Sequence, residues 1–241
     1  MLKPSVFAPD VMSALYLYAF CWLPRLREAT ARLPAGLNQP IQIISEGDIG
    51  AAIELGIDLT AMEQDDTQLV AGVVNHDRVI CDLFELAPLL PLRFGTQFLS
   101  ETALRSHLQN NAARYRQRLQ LLSDQVEVCL RLTPVALTLP PVDNTLTGHN
   151  YFLAQKQRLQ DQATHQQQQQ EQLSQLQSKI AHTYAHLAQE APPDTLEQKI
   201  YLLIGGDQLP QLPADLTTWQ TTYPLWTITA SEALPPYHFV Q

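Results

Sequence analysis

The sequence predicts an α+β protein made of two small domains. Apolar runs typical of strands recur along the chain between stretches that have the three- and four-residue spacing of helices. A proline-rich link, Thr133–Asn144, precedes most of the second set, to which the strand Val126–Leu132 before the link also belongs. With 241 residues, 45% of them apolar, the chain is long enough for one large or two ordinary domains. We place the boundary after residue 124, which gives domains 1–124 and 125–241.

The first domain follows the order strand, helix, strand, strand, helix, strand, which is the ferredoxin-like order. Its clearest helix has an apolar stripe at helical spacing, and Asp65 and Asp66 place negative charge near its start. Pro88 ends that helix, and another helix from Ser100 to about Leu122 follows the domain's last strand. The predicted elements are the strands Leu15–Trp22, Ile41–Ser45, Ile49–Leu55 and Leu89–Arg93, a helix from Pro24 to Leu33, and the helical stripe Leu69, Val73, His76, Ile80, Leu83 and Ala87.

A long helix from about His149 to Ala188 dominates the second domain, since no glycine or proline interrupts it. At 1.5 Å per residue it would extend roughly 60 Å. Its middle is the glutamine run Gln166–Gln170, so we favour a helical hairpin or a helix with a loose middle over a dimeric coiled coil. A bend or a disordered link at the glutamines is the main alternative. The other predicted elements are the strands Val126–Leu132, Lys199–Ile204 and Leu225–Thr229, a helix around Ala214–Thr221 and the extended tail Tyr237–Val240.

The segment Pro88–Phe98, PLLPLRFGTQF, combines a buried strand, an arginine and a forced turn. Pro91 restricts its strand to a sheet edge or a bulge, and Gly95 permits backbone angles that are closed to other residues. Arg93 stands among apolar neighbours and must reach water or a hydrogen-bond acceptor. We interpret it as a structural arginine that ties the strand to the next helix; the alternative is a partner-binding or anion-binding corner.

Side chains suited to catalysis are few. His76 falls on the apolar stripe of its helix, which is more typical of a core histidine than of a general base. The alternative is that His76 and Arg93 approach each other where helix and strand pack, and form a polar site with Asp82 or Glu85.

Sites for metals and phosphates are equally weak. His182 and His186 have the i, i+4 spacing of a zinc pair, but no third ligand is evident. The sequence Gly205–Asp207 follows a strand, yet neither phosphate-loop motif is present, so we predict a turn. We therefore predict no catalytic, cofactor-binding or metal site, and expect a protein that is not an enzyme.

The composition limits which partners and which cellular compartment we expect for this protein. The formal charge of −9 and a pI near 5.1 argue against a nucleic-acid-binding protein. The longest apolar stretch, Ala14–Leu23, is about half the length of a membrane-spanning helix, and the N-terminus does not resemble a signal peptide. We expect a cytoplasmic protein with no lipid membrane partner. Three isolated cysteines, which suit a reducing compartment, are Cys21, Cys81 and Cys129.

One helix is locally basic, and a solvated helix face is the commoner explanation of such a cluster. Its arginines are Arg105, Arg114, Arg116 and Arg118.

Several strings along the chain resemble a known family. They are LYLYAF at Leu15–Phe20, LPLRFGT within Pro88–Phe98, TGHNYFLAQK at Thr147–Lys156 and PPYHFV at Pro235–Val240, with His76 just upstream of the second. In this order they resemble the gas vesicle accessory proteins of the F/L type. The chain departs from that pattern in its glutamine run and in the residues before the final prolines.

The resemblance implies a fold and a role. It implies two domains related to the ferredoxin-like arrangement, the second a variant with a long helix. It also implies a non-enzymatic accessory protein of gas vesicle assembly, which binds the hydrophobic major shell subunit and other accessory proteins and stays with the vesicle as a minor component. The alternative is a small-molecule-binding enzyme or sensor that uses His76, Asp77 and Arg93. The candidate structural or partner-binding residues are His76, Pro91, Arg93, Phe94, Gly95, Tyr237 and Phe239.

Overall fold

The computed structural model describes residues 14–28, 32–141, 147–190 and 196–240. They divide into two compact units. The first unit comprises the chain up to Asp124 together with the segment from Pro235 onward, and the second comprises Gln125–Leu234. The sequence-based domains place the segment from Pro235 onward in the second half, so the structure differs there: after Leu234 the chain returns to the first unit.

The first unit contains one antiparallel sheet. Its strand order is β2-β3-β1-β4, and a short strand, β5, also pairs with β1. The central strands β1 and β3 are buried along nearly their whole length because both faces of the sheet are covered, and Glu54 is the charged residue among their otherwise uncharged side chains. The elements are β1 (Leu15–Trp22), α1 (Leu23–Glu28), β2 (Gln42–Glu46), β3 (Ile49–Leu55), α2 (Leu59–Glu63), α3 (Asp66–Phe84), β4 (Leu89–Pro91), β5 (Gln97–Phe98) and α4 (Glu101–Leu121).

Helix α3 begins as the sequence indicates, because the Asp65 side chain accepts hydrogen bonds from the backbone N–H groups of Thr67 and Gln68. The predicted core stripe is wrong at Val73, which is 44% exposed. The face that packs on the sheet is rotated slightly from the predicted stripe, so other residues of the helix are buried in its place. The buried residues of the helix are Gly72, His76, Val79, Ile80 and Leu83.

The second unit contains another antiparallel sheet, with the strand order β7-β8-β6-β9. Its core is formed by aliphatic side chains of the sheet, by the C-terminal half of a long helix and by two tryptophans, Trp219 and Trp226. The elements are β6 (Gln125–Pro134), α5 (Gly148–Thr183), β7 (Leu187–Glu190), β8 (Gln198–Gly205), α6 (Leu212–Thr222) and β9 (Trp226–Ala230).

Helix α5 is uninterrupted through the glutamine run, so the predicted hairpin, loose middle or bend is not observed. The Gln169 side chain donates to the carbonyl oxygens of Val135 and Leu225, at 2.7 and 3.3 Å, and the side chain of Gln172 accepts from the backbone N–H of Leu225. Within the run only Gln169 is partly buried, and its amide, with that of Gln172 just after the run, satisfies backbone groups of the neighbouring segments. No described helix combines the length and apolarity needed to span a lipid bilayer.

Candidate functional site

Five of the seven sequence-predicted site residues lie in the first unit around the end of β4: His76, Pro91, Arg93, Phe94 and Gly95. Strand β4 pairs with Ala19–Cys21 of β1, and Pro91 lies at the edge of the sheet, where its missing N–H costs no ladder hydrogen bond. The chain then turns, because the carbonyl oxygen of Arg93 accepts from the N–H and the hydroxyl group of Thr96. Gly95 has φ = +86° at the third position of that turn, where a type II turn requires a positive φ.

Phe94 points its ring into the unit from this turn. Ring centroids lie 5.7 Å from His76 and 6.1 Å from Tyr16, both in edge-to-face geometry. Gly72 of α3 allows this approach, because a Cβ atom there would lie 3.3 Å from the Phe94 ring. The turn is thus fixed to helix α3 by an aromatic contact.

His76 is buried and bonded at both ring nitrogens. Its Nε2 lies 2.9 Å from the carbonyl oxygen of Leu92, which can only accept, so Nε2 carries the proton. Its Nδ1 therefore accepts from the hydroxyl group of Tyr16, at 2.7 Å. Burial lowers the pKa of His76, which favours this neutral ring. The residue holds helix α3 to β1 and to the end of β4, and both of its nitrogens are engaged.

The alternative polar site is not assembled in the structure. Arg93 is exposed and makes no ion pair with any residue that the structure describes. Asp77 accepts a hydrogen bond from Tyr237, and Asp82 pairs with Arg78 at 2.7 Å. The residues that sequence analysis groups around His76 thus have separate partners.

The closing segment contacts the first unit through Tyr237. Its hydroxyl group donates to Asp77 of α3, and its ring packs against the core of that unit. Burial, followed by the hydrogen bond to Asp77, raises the pKa of Tyr237, so the phenol stays protonated. Phe239 is half-buried in the same segment, whose short 3-10 turn is Tyr237–Phe239.

Sequence reasoning missed the most heavily bonded side chain of the unit, Glu54 in β3. It is fully buried, and its carboxylate accepts from the hydroxyl group of Tyr18 at 2.6 Å and from three successive backbone N–H groups at 2.6 to 2.7 Å. The three N–H groups belong to Leu37, Asn38 and Gln39. Gly36 permits the close approach, since a Cβ atom there would lie 2.1 Å from a Glu54 oxygen. A lone glutamate in the apolar strand IGAAIEL, near a glycine-containing loop, was the available signal.

No ready nucleophile or metal site accompanies these groups in the described residues. Burial raises the pKa of Cys21 to about 12, and it also raises the pKa of Cys81 and Cys129, so the thiols are poor nucleophiles. No described cluster of three or more histidine, cysteine or acidic side chains is placed to hold a metal ion. Helix α5 ends at Thr183, so His182 and His186 are not one helical pair, and the predicted helix is too long at that end.

Comparisons with known proteins agree with this architecture. The chain is similar to the crystal structure of the gas vesicle protein GvpF from Anabaena sp. PCC7120, with a TM-score of 0.68, 16% identity, and 95% of this chain and 96% of that chain covered. It is also similar to GvpF from Microcystis aeruginosa, with a TM-score of 0.67, 16% identity, and 95% and 99% covered. No protein of curated function matches the chain in sequence.

The family itself is shown by sequence. The model of the gas vesicle synthesis proteins GvpL/GvpF matches residues 14–241, which confirms the resemblance drawn from the short strings. The matched range includes residues of both compact units. The chain therefore belongs to the GvpL/GvpF family of gas vesicle synthesis proteins.

Proposed function

We propose that this protein is a non-enzymatic accessory factor of gas vesicle assembly that binds the hydrophobic shell subunit during nucleation or growth. It works in the cytoplasm, stays with the vesicle as a minor component and also contacts other accessory proteins. The family match over residues 14–241 is the observation that carries the proposal. We also propose that the two units are separate domains and that both are ferredoxin-like variants, which the shared strand order supports.

An exposed apolar face of helix α5 supports a binding role. Phe152 and Leu159 are 64% and 65% exposed, and a spacing of seven residues places them on one side of the helix. Tyr151 and Leu153 beside them are also exposed. A hydrophobic subunit that must be kept from aggregating would bury its surface on such a face. Strands β2 and β7 lie at the edges of the two described sheets and offer a second kind of contact, through strand addition.

The alternative, an enzyme or small-molecule sensor, has weaker support. It requires His76, Asp77 and Arg93 to act on one ligand, but His76 is a neutral, doubly bonded core residue and Arg93 is exposed. A base needs a free nitrogen within hydrogen-bond reach of its substrate. The acidic charge of the chain likewise gives no reason to propose a nucleic-acid partner.

Binding to purified shell subunit tests the proposal. The full chain should retain the subunit in a pull-down and reduce the light scattering that develops when the subunit is diluted from denaturant. The double variant F152S/L159S should weaken both effects.

The matched control is V70S/V74S on helix α3, whose valines are 62% and 64% exposed. It removes two similarly exposed apolar side chains from the other unit and should bind normally. Failure of the unaltered chain to bind, together with normal vesicles in a strain lacking the gene, would contradict the proposed function. Equal loss in both double variants would instead reject helix α5 as the contact surface.

A further inference from the structure

A cavity of about 250 Å³ lies in the first unit beside helix α4. Leu90 of β4, Leu121 of α4 and Val240 of the closing segment form its apolar wall, and Arg114 and Arg118 of α4 form its charged side. Its volume is slightly below the roughly 300–1,000 Å³ of typical ligand sites. This volume and lining suit a small ligand that has an apolar part and a negative charge.

The two arginines differ from the others on the same helix. Arg105 pairs with Glu101 at 2.7 Å, and Arg116 pairs with Asp48 at 3.0 Å. Among the residues that the structure describes, no carboxylate lies within 4 Å of Arg114 or Arg118. They are four residues apart, so they are neighbours on one helix face and repel each other.

Arg118 also has an unmet hydrogen-bonding group. Its Nε is buried and has no hydrogen-bond partner among the described residues. A buried donor of a charged group without an acceptor is unfavourable, so no hydrogen bond at Nε fixes the Arg118 side chain in its present position.

Arg114 rests on a fixed aromatic ring. Its guanidinium lies 5.3 Å from the centroid of the Tyr115 ring, and the Tyr115 hydroxyl group is bonded to Nε2 of His107 at 2.6 Å. The ring of Phe20 stacks on Tyr115 at a centroid distance of 4.7 Å. The wall that positions Arg114 is therefore held by the sheet.

We propose that this cavity binds a small carboxylate with a short apolar tail. The guanidinium groups of Arg114 and Arg118 hold the carboxylate, because the planar guanidinium fork matches the two carboxylate oxygens. The tail lies against Leu90, Leu121 and Val240. The apolar wall distinguishes such a ligand from an inorganic anion, and the site is independent of the shell-binding face of α5.

Calorimetric titration of the full chain with sodium hexanoate tests the site. Hexanoate should bind saturably, and added salt should weaken its binding. Hexanamide, which has the same tail without the charge, and inorganic phosphate, which has charge without the tail, should each bind at least ~5-fold more weakly.

Variants then locate the binding. Arg118→Gln and Arg114→Gln should each weaken hexanoate binding roughly tenfold, which corresponds to the loss of one charge-assisted interaction. Arg116→Gln is the matched control: it removes a charge from the same helix outside the cavity and should leave binding unchanged. Thermal melting shows whether each variant is folded; Arg114 is exposed, so its variant carries the test if Arg118→Gln does not fold.

Three results would overturn the proposal. The first is no saturable binding of hexanoate up to about 20 mM, which is beyond the millimolar range expected of so small a ligand. The second is equal binding of hexanamide or phosphate. The third is an Arg116→Gln variant that loses as much affinity as the two cavity variants, since that would indicate nonspecific attraction to the basic helix.

Discussion

The two sheets share one strand order but have different interiors. In each, the first strand of the unit lies between the third and the fourth, as β1 does in one and β6 in the other. The first unit buries a carboxylate, Glu54, and an imidazole, His76, among its aromatic rings. The second unit is filled mainly by aliphatic side chains, two tryptophans and two tyrosines, and the one buried carboxylate among its described residues is Glu127.

The helices that join the first two strands also differ, from 6 residues in α1 to 36 in α5. One strand order therefore accommodates a core with a buried imidazole and a carboxylate bound by a loop, or a core made mainly of apolar side chains of a long helix and the sheet. It also tolerates connections of very different length. The two units should accordingly respond to different kinds of substitution.

The largest expected loss of stability follows from removing the buried carboxylate of the first unit. Glu54→Ala leaves the Tyr18 hydroxyl group and three backbone N–H groups without their acceptor, so the first unit should lose about 4 kcal/mol of unfolding free energy. Hydrogen exchange resolved by peptide should rise in β1 and β3 and stay unchanged in β6 and β8. Glu46→Ala on the neighbouring strand is the control. The Glu46 side chain is 38% exposed and forms a long, solvent-exposed ion pair with Arg105 at 3.6 Å, so this substitution should cost less than about 0.5 kcal/mol of unfolding free energy. Unchanged exchange in β1 of the Glu54 variant would refute the role given to this carboxylate.

The apolar core of the second unit should be destabilised by substitutions that leave a cavity. Leu176 of α5 is fully buried, so Leu176→Ala should cost the second unit about 3 kcal/mol through the cavity it leaves. The same exchange measurement should now show the rise in β6 and β8. Leu159→Ala lies on the same helix at a 65% exposed position and should change stability by about 0.5 kcal/mol or less. Equal effects of the two leucine variants would mean that α5 does not pack as described.

A smaller effect is expected within the glutamine run. Gln169→Ala removes the hydrogen bonds to Val135 and Leu225 and should destabilise the second unit by about 1 kcal/mol in urea unfolding. Gln168→Ala, at an exposed neighbouring position, should be close to neutral. If neither variant changes the free energy of unfolding, the glutamine run forms part of helix α5 but makes no stabilising contact outside it.

The smallest effect is a dependence on pH confined to the first unit. The folded-state pKa values of His76 and His107 lie below the ordinary histidine value, chiefly because of burial. The unfolded chain therefore binds more protons as the pH falls through about 6.5, and stability should decrease from pH 7.5 towards pH 5. Exchange in the first unit, measured across this range, should show the loss, and His76→Gln should flatten it. A first unit that gains stability on acidification would contradict the lowered pKa values.

Much of the fold is predictable from local pattern. The strands Leu15–Trp22 and Ile49–Leu55 are confirmed at both ends, and Ser100 caps α4 by accepting from the N–H of Ala103 at 3.1 Å. The turn at Gly95 is also observed. These features depend on side-chain period, on proline and glycine geometry and on capping, all of which act within a few residues.

The predictions that failed involve choices between groups far apart in the chain. Val73 fits a helical stripe, but packing on the sheet selects a face that exposes it. Leu187 and Ala188 belong to the predicted helix, yet Leu187–Glu190 forms β7 because it pairs with β8. Gln169 has no local signal that distinguishes it from its neighbours, and its role depends on the carbonyl groups of Val135 and Leu225.

The sequence by itself determined most of the element types, the family and the lack of a recognisable catalytic motif, because period, turn residues and short strings carry that information. Only the tertiary structure decided that Glu54 is enclosed by a distant loop, that His76 is bonded at both nitrogens, and that the chain from Pro235 returns to the first unit. The tertiary structure also places Arg114 and Arg118 beside a cavity, whereas Arg105 and Arg116 of the same helix form ion pairs with carboxylates. The physical reason is that hydrogen bonding and burial depend on tertiary contacts between groups far apart in the chain, and local sequence pattern does not specify those contacts.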